Sequence, residues 1–85
     1  MNEQKLSIIV VVNGQPVTVE GNVNAPLIPL IQHALNESGN SGQPAENWEL
    51  RDAAGNVLDP TRKLAETGVV GGATLFLNLK AGVGG

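Results

Sequence analysis

The sequence predicts an α+β domain in which one mixed sheet of four to five strands wraps a single helix. Three observations carry that expectation. The 85-residue chain opens with a β-branched run, Leu6-Ser7-Ile8-Ile9-Val10-Val11-Val12, that turns within Asn13-Gly14-Gln15-Pro16 into the alternating Val17-Thr18-Val19-Glu20. One apolar stripe at helical spacing follows: Leu27, Leu30, Ile31, Ala34 and Leu35. After that stripe only short alternating segments remain, ending in Thr74-Leu75-Phe76-Leu77-Asn78-Leu79. A lone amphipathic helix needs an apolar sheet face to bury against.

Each element has its own reasons. Asn13-Gly14-Gln15-Pro16 is a turn signal, because Asn and Gly tolerate positive φ and Pro cannot continue a central ladder. A two-residue turn at either Asn13-Gly14 or Gly14-Gln15 sets even positions of the first strand opposite odd positions of the second, whereas an odd-length loop would swap the faces of the first strand. Leu6, Ile8, Val10 and Val12 then share a core face with Val17 and Val19. Ile9, Val11, Thr18 and Glu20 face the other way. Gly21 to Ala25 reads as a connection. Asn24 is a candidate cap for the helix, which starts at Pro26 or Leu27 so that Pro29 falls where no intrahelical N–H is needed. Gly39 ends it, and Asn40 to Ala45 is loop. Trp48-Glu49-Leu50-Arg51 is a third strand with Trp48 and Leu50 inward. Val57-Leu58 reads as a very short fourth strand. Asp59-Pro60 opens a turn that becomes a single helical turn through Leu64. Gly68 to Gly72 connects to the last strand, where Leu75, Leu77 and Leu79 share one face and Phe76, Asn78 and Lys80 the other. The first and last strands are the most apolar, so they belong side by side in the centre. This arrangement is a β-grasp.

Bulk composition excludes several functions. Eighty-five residues make one domain. There is no cysteine, hence no disulfide, thiolate nucleophile or Cys-based metal site. Five basic residues against eight acidic ones give a net charge of −3, and the five are scattered, so no nucleic-acid footprint is present. The apolar run near the N-terminus is too short to span a membrane, and its flank does not read as a secretory signal. A cytoplasmic monomer is the expectation.

No catalytic, cofactor-binding or metal-binding set emerges, and the chain does not read as an enzyme. His33 reads as a surface or boundary residue, with no second histidine to share a ligand. Asp52, Asp59 and Glu49 read as solvated loop carboxylates. Gly68, Gly71 and Gly72 are not followed by G-K-[ST] and do not make a phosphate loop. Phe76 is the outward aromatic of the last strand. With Arg51 and Ile9 it forms a candidate partner surface. Lys5, Lys63 and Lys80 are possible acceptors for a second copy, though nothing favours that over solvated surface.

Three motifs then occur in a telling order. They are the segment Leu58-Asp59-Pro60-Thr61-Arg62-Lys63-Leu64-Ala65-Glu66-Thr67-Gly68-Val69, the strand Thr74-Leu75-x-Leu77-x-Leu79, and the diglycine Gly84-Gly85. With the hairpin and helix before them, the chain resembles ubiquitin and, within that family, the bacterial ubiquitin-like modifiers. The resemblance implies a β-grasp body over residues 1–80 and a diglycine tail over 81–85. It also implies conjugation through Gly85 and Gly84, with Lys80, Ala81, Gly82 and Val83 as the part of the tail that enzymes read. The partners implied are an E1-like activating enzyme that uses ATP, an E2-like conjugating enzyme, a JAB-type deconjugating peptidase and a target protein. Ubiquitin's tail carries arginines that are missing from Lys80-Ala81-Gly82-Val83. Arg51 and Asn78 stand where ubiquitin has the isoleucine and valine of its recognition patch. The expected enzymes are therefore this chain's own.

The chemistry of such a tail is demanding. A free carboxylate, ionised near neutrality, is a poor acyl donor until it is adenylated and passed to a thiolate. Ala81 to Gly85 fully extended spans about 17 Å, enough to carry the carboxylate into a buried site, and glycines let enzyme backbone close around it. Two other readings share the pattern. One is a sulfur carrier of the ThiS/MoaD type, which also has a Val-Asn-Gly turn like Val12-Asn13-Gly14. The other is a non-conjugated ubiquitin-like docking domain.

Overall fold

The computed structural model describes residues 4–82. Strands β1 (Lys5–Val12) and β2 (Gln15–Asn22) form an antiparallel hairpin with Val12 paired to Gln15. The turn is thus Asn13-Gly14, and both residues have positive φ, 49° and 86°. Two left-handed residues in succession match the twist of the flanking strands, which is why Asn-Gly suits this turn. Ile8 lies opposite Val19 and Val10 opposite Val17. Ile8, Val10, Val12 and Val19 are buried, as the parity of the turn requires.

The second strand runs further than the sequence pattern indicated. Gly21 and Asn22 belong to β2 rather than to a connection. Gly21 is buried opposite Leu6 on the core face. A Cβ there would stand 2.6 Å from Leu30 Cδ1 and 3.0 Å from Leu64 Cδ2, so the helix packs on bare backbone at this point.

Helix α1 spans Leu27–Glu37 with Pro26 as its N-cap and no side-chain cap. Asn24 does not cap it; the Asn24 N–H donates to Asn22 Oδ1 at 2.8 Å. Pro26 and Pro29 both fall among the positions whose N–H has no intrahelical acceptor, so neither removes a helical bond. The Leu27 N–H lies 3.1 Å from the carbonyls of both Pro60 and Arg62. A distant loop, not a local side chain, covers this end. At the other end Gly39 has φ 77°, and the Asn40 N–H reaches back to the Leu35 carbonyl at 2.8 Å.

Strands β3 (Trp48–Arg51) and β4 (Thr74–Leu79) complete a four-stranded sheet of order β2-β1-β4-β3. β4 pairs parallel to β1 and antiparallel to β3, so the first and last strands are the central pair. Val57-Leu58 is not a strand. It makes one isolated bridge, Arg51 to Val57, with the Leu58 N–H on the Leu50 carbonyl at 2.8 Å. The reason lies just beyond: Pro60 offers no N–H, and Asp59 Oδ1 takes the Thr61 N–H at 2.9 Å and the Thr61 hydroxyl at 2.7 Å. That tight turn ends the pairing. The helical turn expected through Leu64 instead begins there, as a 3-10 turn over Leu64–Glu66, and a second covers Ala45–Asn47.

The core is one cluster between the sheet and the helix. Leu75 and Leu77 of β4, Trp48 and Leu50 of β3, and the helical stripe of Leu27, Leu30, Ile31, Ala34 and Leu35 are all buried in it. Among the described residues no helix is long and apolar enough to cross a membrane.

Candidate functional site

The tail leaves the sheet from its centre. β4 ends at Leu79, paired to Trp48, and the Lys80 N–H donates to the Asn47 carbonyl at 2.9 Å. Lys80, Ala81 and Gly82 are exposed, and Gly82 has φ 87°, a conformation that L side chains rarely adopt. Val83, Gly84 and Gly85, which carry the rest of the expected tail site, lie outside the described residues.

The structure brings together the three residues of the expected partner surface. Phe76 is 37% exposed and Ile9 36%. Arg51 lies directly opposite Phe76, while Ile9 is opposite Thr74 and so diagonal to Phe76. The register adds two residues that the sequence pattern did not single out. Val11 pairs with Phe76 on one side and Pro16 on the other. A row Pro16, Val11, Phe76, Arg51 therefore crosses the outer face of all four strands. Its signal was already present in the alternation, since residues i and i+2 share a face. Asn78, two residues on from Phe76 and opposite Glu49, lies on the same face.

Arg51 is held in place at the end of this row. Its guanidinium donates to Glu49 Oε2 at 2.7 Å and to the Gly55 carbonyl at 2.9 Å. The turn that presents Gly55 is built by Asp52. Asp52 Oδ1 accepts the N–H groups of Ala54 and Asn56, both at 2.9 Å, and Oδ2 the Asn56 side-chain amide at 3.2 Å. These bonds, the one from the Asn56 N–H foremost, hold the Asp52 carboxyl below the usual carboxylate range. The Thr61 N–H acts likewise on Asp59, and the Arg62 side chain on Glu66.

A pH dependence follows. A carboxyl whose pKa is lower folded than unfolded stabilises fully above its unfolded value, and that contribution is lost as pH falls through the folded value. All three shifts have this sign, so the urea midpoint is expected to hold above pH of about 5 and to drop progressively below about 4. Asp52→Asn keeps an acceptor at Oδ1 and loses the charge; its midpoint should fall less steeply with acid. An unchanged slope would remove Asp52 from the account.

His33 is exposed, with Nε2 3.6 Å from Glu37 Oε2 one turn on. Among the described residues no group of His, Cys, Asp or Glu is placed to hold a metal ion.

Solved structures with this fold are ubiquitin-like. A de novo design based on ubiquitin matches with a TM-score of 0.78 at 23% identity, covering 95% of each chain. The ubiquitin of Caldiarchaeum subterraneum matches with a TM-score of 0.75 at 24% identity, over 96% of this chain and 100% of the other. The ubiquitin-like domain of an Arabidopsis thaliana protein gives 0.74 at 22%, over 92% and 80%. The fold is a ubiquitin-like β-grasp. Among curated proteins, an uncharacterized protein of Sinorhizobium fredii, y4jI, is 53% identical over 81 residues, which is 95% of this chain. This chain spans 62% of that relative's length. The family model described as "Protein of Unknown function (DUF2604)" matches residues 1–85 from end to end, and the chain belongs to that family.

Proposed function

We propose that this ubiquitin-like domain is a protein modifier, conjugated to other proteins through the carboxyl group of Gly85. The observation that supports this most directly is the placement of β4. It is the strand with neighbours on both sides that ends at Leu79, and it hands the chain to exposed Lys80, Ala81 and Gly82 on the way to Gly84-Gly85. A rigid central strand fixes where the tail starts, and the sequence beyond it is slim and rich in glycine, as entry into an enzyme's site requires.

In this reading an E1-like enzyme joins the Gly85 carboxylate to the AMP of ATP, releasing pyrophosphate. A cysteine thiolate of that enzyme then displaces AMP to give a thioester, which passes to an E2-like cysteine. An amine of the target displaces that thiolate and loses a proton, leaving an amide. A JAB-type peptidase hydrolyses it after Gly85. Where the chain continues past Gly85, cleavage at the same bond first frees the carboxylate. The outer-face row of Val11, Phe76 and Arg51, with Ile9 beside it, is the face presented to those enzymes, with Lys80, Ala81, Gly82 and Val83 as the tail they read.

The test uses the 85-residue chain, ATP and a cognate E1-like enzyme. A thiol-sensitive adduct to the enzyme is expected, followed by thiol-resistant adducts on a second protein. Removal of Gly84-Gly85 should abolish both while the circular dichroism spectrum is unchanged. Adducts that survive the removal would sink the proposal. So would a product in which sulfur has replaced a carboxylate oxygen and no protein adduct forms, the outcome for a sulfur carrier.

A further inference from the structure

Asn13-Gly14 is the one place in the chain where asparagine precedes glycine. Shape explains both residues, but the pair can also do chemistry. The Asn13 side-chain amide is an electrophile within ring-closing reach of the Gly14 backbone nitrogen. When that nitrogen attacks Cγ, a five-membered imide forms. The former N–H proton leaves with the side-chain amine as ammonia. Water then opens the imide at either carbonyl and leaves aspartate or its β-linked isomer, isoaspartate. Water is the sole co-reactant, nothing is oxidised or reduced, and the chain gains one carboxylate.

The structure singles out Asn13 among the described asparagines. Asn13 and Gly14 are both exposed, and nothing stands within 4 Å of where a Cβ on Gly14 would lie. The Gly14 N–H has no backbone partner among the described residues. Elsewhere one of the two reacting groups is engaged. The side-chain amides of Asn40, Asn47 and Asn56 donate to Ser38, Gln43 and Asp52. Asn22 Oδ1 accepts from the Asn24 N–H, and the nitrogen that follows Asn24 is tied to the Asn22 carbonyl at 3.1 Å. Asn36 and Asn78 lie within α1 and β4, where the backbone is fixed. The turn slows Asn13 without blocking it. Ring closure needs a backbone angle at Asn13 far from the left-handed pair at 49° and 86°, which the Val12–Gln15 pairing holds shut. Conversion therefore proceeds when the hairpin tip opens, as such tips do locally.

We propose that Asn13 is a self-modification site, converted in the folded protein to aspartate and isoaspartate, and that only the isoaspartate form breaks the hairpin turn. Asp-Gly suits the same left-handed turn as Asn-Gly, so the aspartate product keeps the fold. Isoaspartate routes the main chain through Cβ and Cγ and adds a carbon between residue 13 and Gly14. A tight two-residue turn has no room for it. The Val12–Gln15 pair is then strained, and with it the register that buries Ile8, Val10, Val12 and Val19. Either product puts a negative charge beside the Leu77 carbonyl, which the Asn13 N–H contacts at 3.1 Å. Because β1 and β4 run parallel, that is the edge of the sheet from which the chain continues to Lys80. The reaction needs neither ATP nor Gly85, so it stands or falls separately from conjugation.

The test holds the full 85-residue protein warm at mildly alkaline pH and follows acidic species by anion exchange and intact mass. Electron-transfer fragmentation assigns the residue and separates the two products. Methyl transfer from S-adenosylmethionine by an isoaspartyl methyltransferase counts the β-linked one. Asn13 is expected to convert before every other described asparagine, and several times more slowly than in urea. The isoaspartate fraction should show a lower urea midpoint, while the aspartate fraction and the Asn13→Asp variant keep that of the unmodified protein. Asn13→Gln, whose longer side chain would have to close a six-membered ring, should lose the early acidic species. Conversion of another asparagine first, or survival of the Asn13 amide while others convert, overturns the site. A rate equal in folded and urea-unfolded protein overturns the restraint by the turn. An isoaspartate fraction as stable as the aspartate one overturns the claim that only isoaspartate breaks it.

Discussion

Leu77→Ala is expected to lower the free energy of unfolding by about 3–5 kcal/mol. Leu77 is 0% exposed and sits on β4 between Val12 of β1 and Leu50 of β3, both of them buried. Its Cβ stays, but the rest of the side chain leaves a hole bounded by a sheet on two sides and the helix above. Backbone hydrogen bonds hold both neighbouring strands in register, so the walls cannot close on the hole. That places the cost toward the upper part of the usual range. A chain of this length has a total stability of roughly 4–13 kcal/mol, so the variant should be partly unfolded at 37 °C or close to it. Urea unfolding followed by circular dichroism reads the loss. A change below about 1 kcal/mol would mean that the site collapses and that β4 is not the keystone described above.

Gly21→Val is the second large effect, and two forces oppose each other there. Strand propensity favours valine over glycine by up to about 1 kcal/mol. Packing opposes it, because the first added carbon already stands 2.6 Å from Leu30 Cδ1 and 3.0 Å from Leu64 Cδ2. Both are tips of flexible side chains, so alanine should cost only about 1 kcal/mol as Leu30 moves aside. Valine adds two more methyl groups in the same space and should cost about 2–3 kcal/mol, overpacking outweighing propensity. Leu30→Ala, harmful by itself, should recover part of the loss when combined with Gly21→Val. Strict additivity of the two substitutions would show that Gly21 and Leu30 do not share that space.

Most of the fold was legible because its strongest signals are local. Turn chemistry in Asn13-Gly14-Gln15-Pro16 set the parity of β1 against β2, and with it the hairpin's four core residues, Ile8, Val10, Val12 and Val19. The stripe from Leu27 to Leu35 and the leucines of β4 are periodic over enough residues to be unambiguous. What the sequence pattern missed depends on residues far apart in the chain. Gly21 reads as a breaker until Leu30 and Leu64 are seen lying on it. The start of α1 has no local cap, because the carbonyls of Pro60 and Arg62 do that work from a distant loop. Val57 looks like a strand residue, yet the turn at Asp59 to Thr61 leaves room for a single bridge. The outer-face row was half visible: Phe76, Arg51, Ile9 and Val11 follow from alternation, while the placing of Val11 between Phe76 and Pro16 needed the cross-strand register.

The parallel pairing of β1 with β4 has a consequence for synthesis. A ribosome makes β1 first and β4 last, at about 5–20 residues per second, and the sheet has no centre until residue 79 is available. The hairpin and helix, made early, lack Leu75 and Leu77 of β4, and without these the core stays open. Nascent or prematurely terminated chains therefore stay open to proteolysis, and the folding rate carries the penalty of closing a loop nearly the length of the chain. A folded body in effect certifies its own last strand: any molecule that has one was translated at least through Leu79.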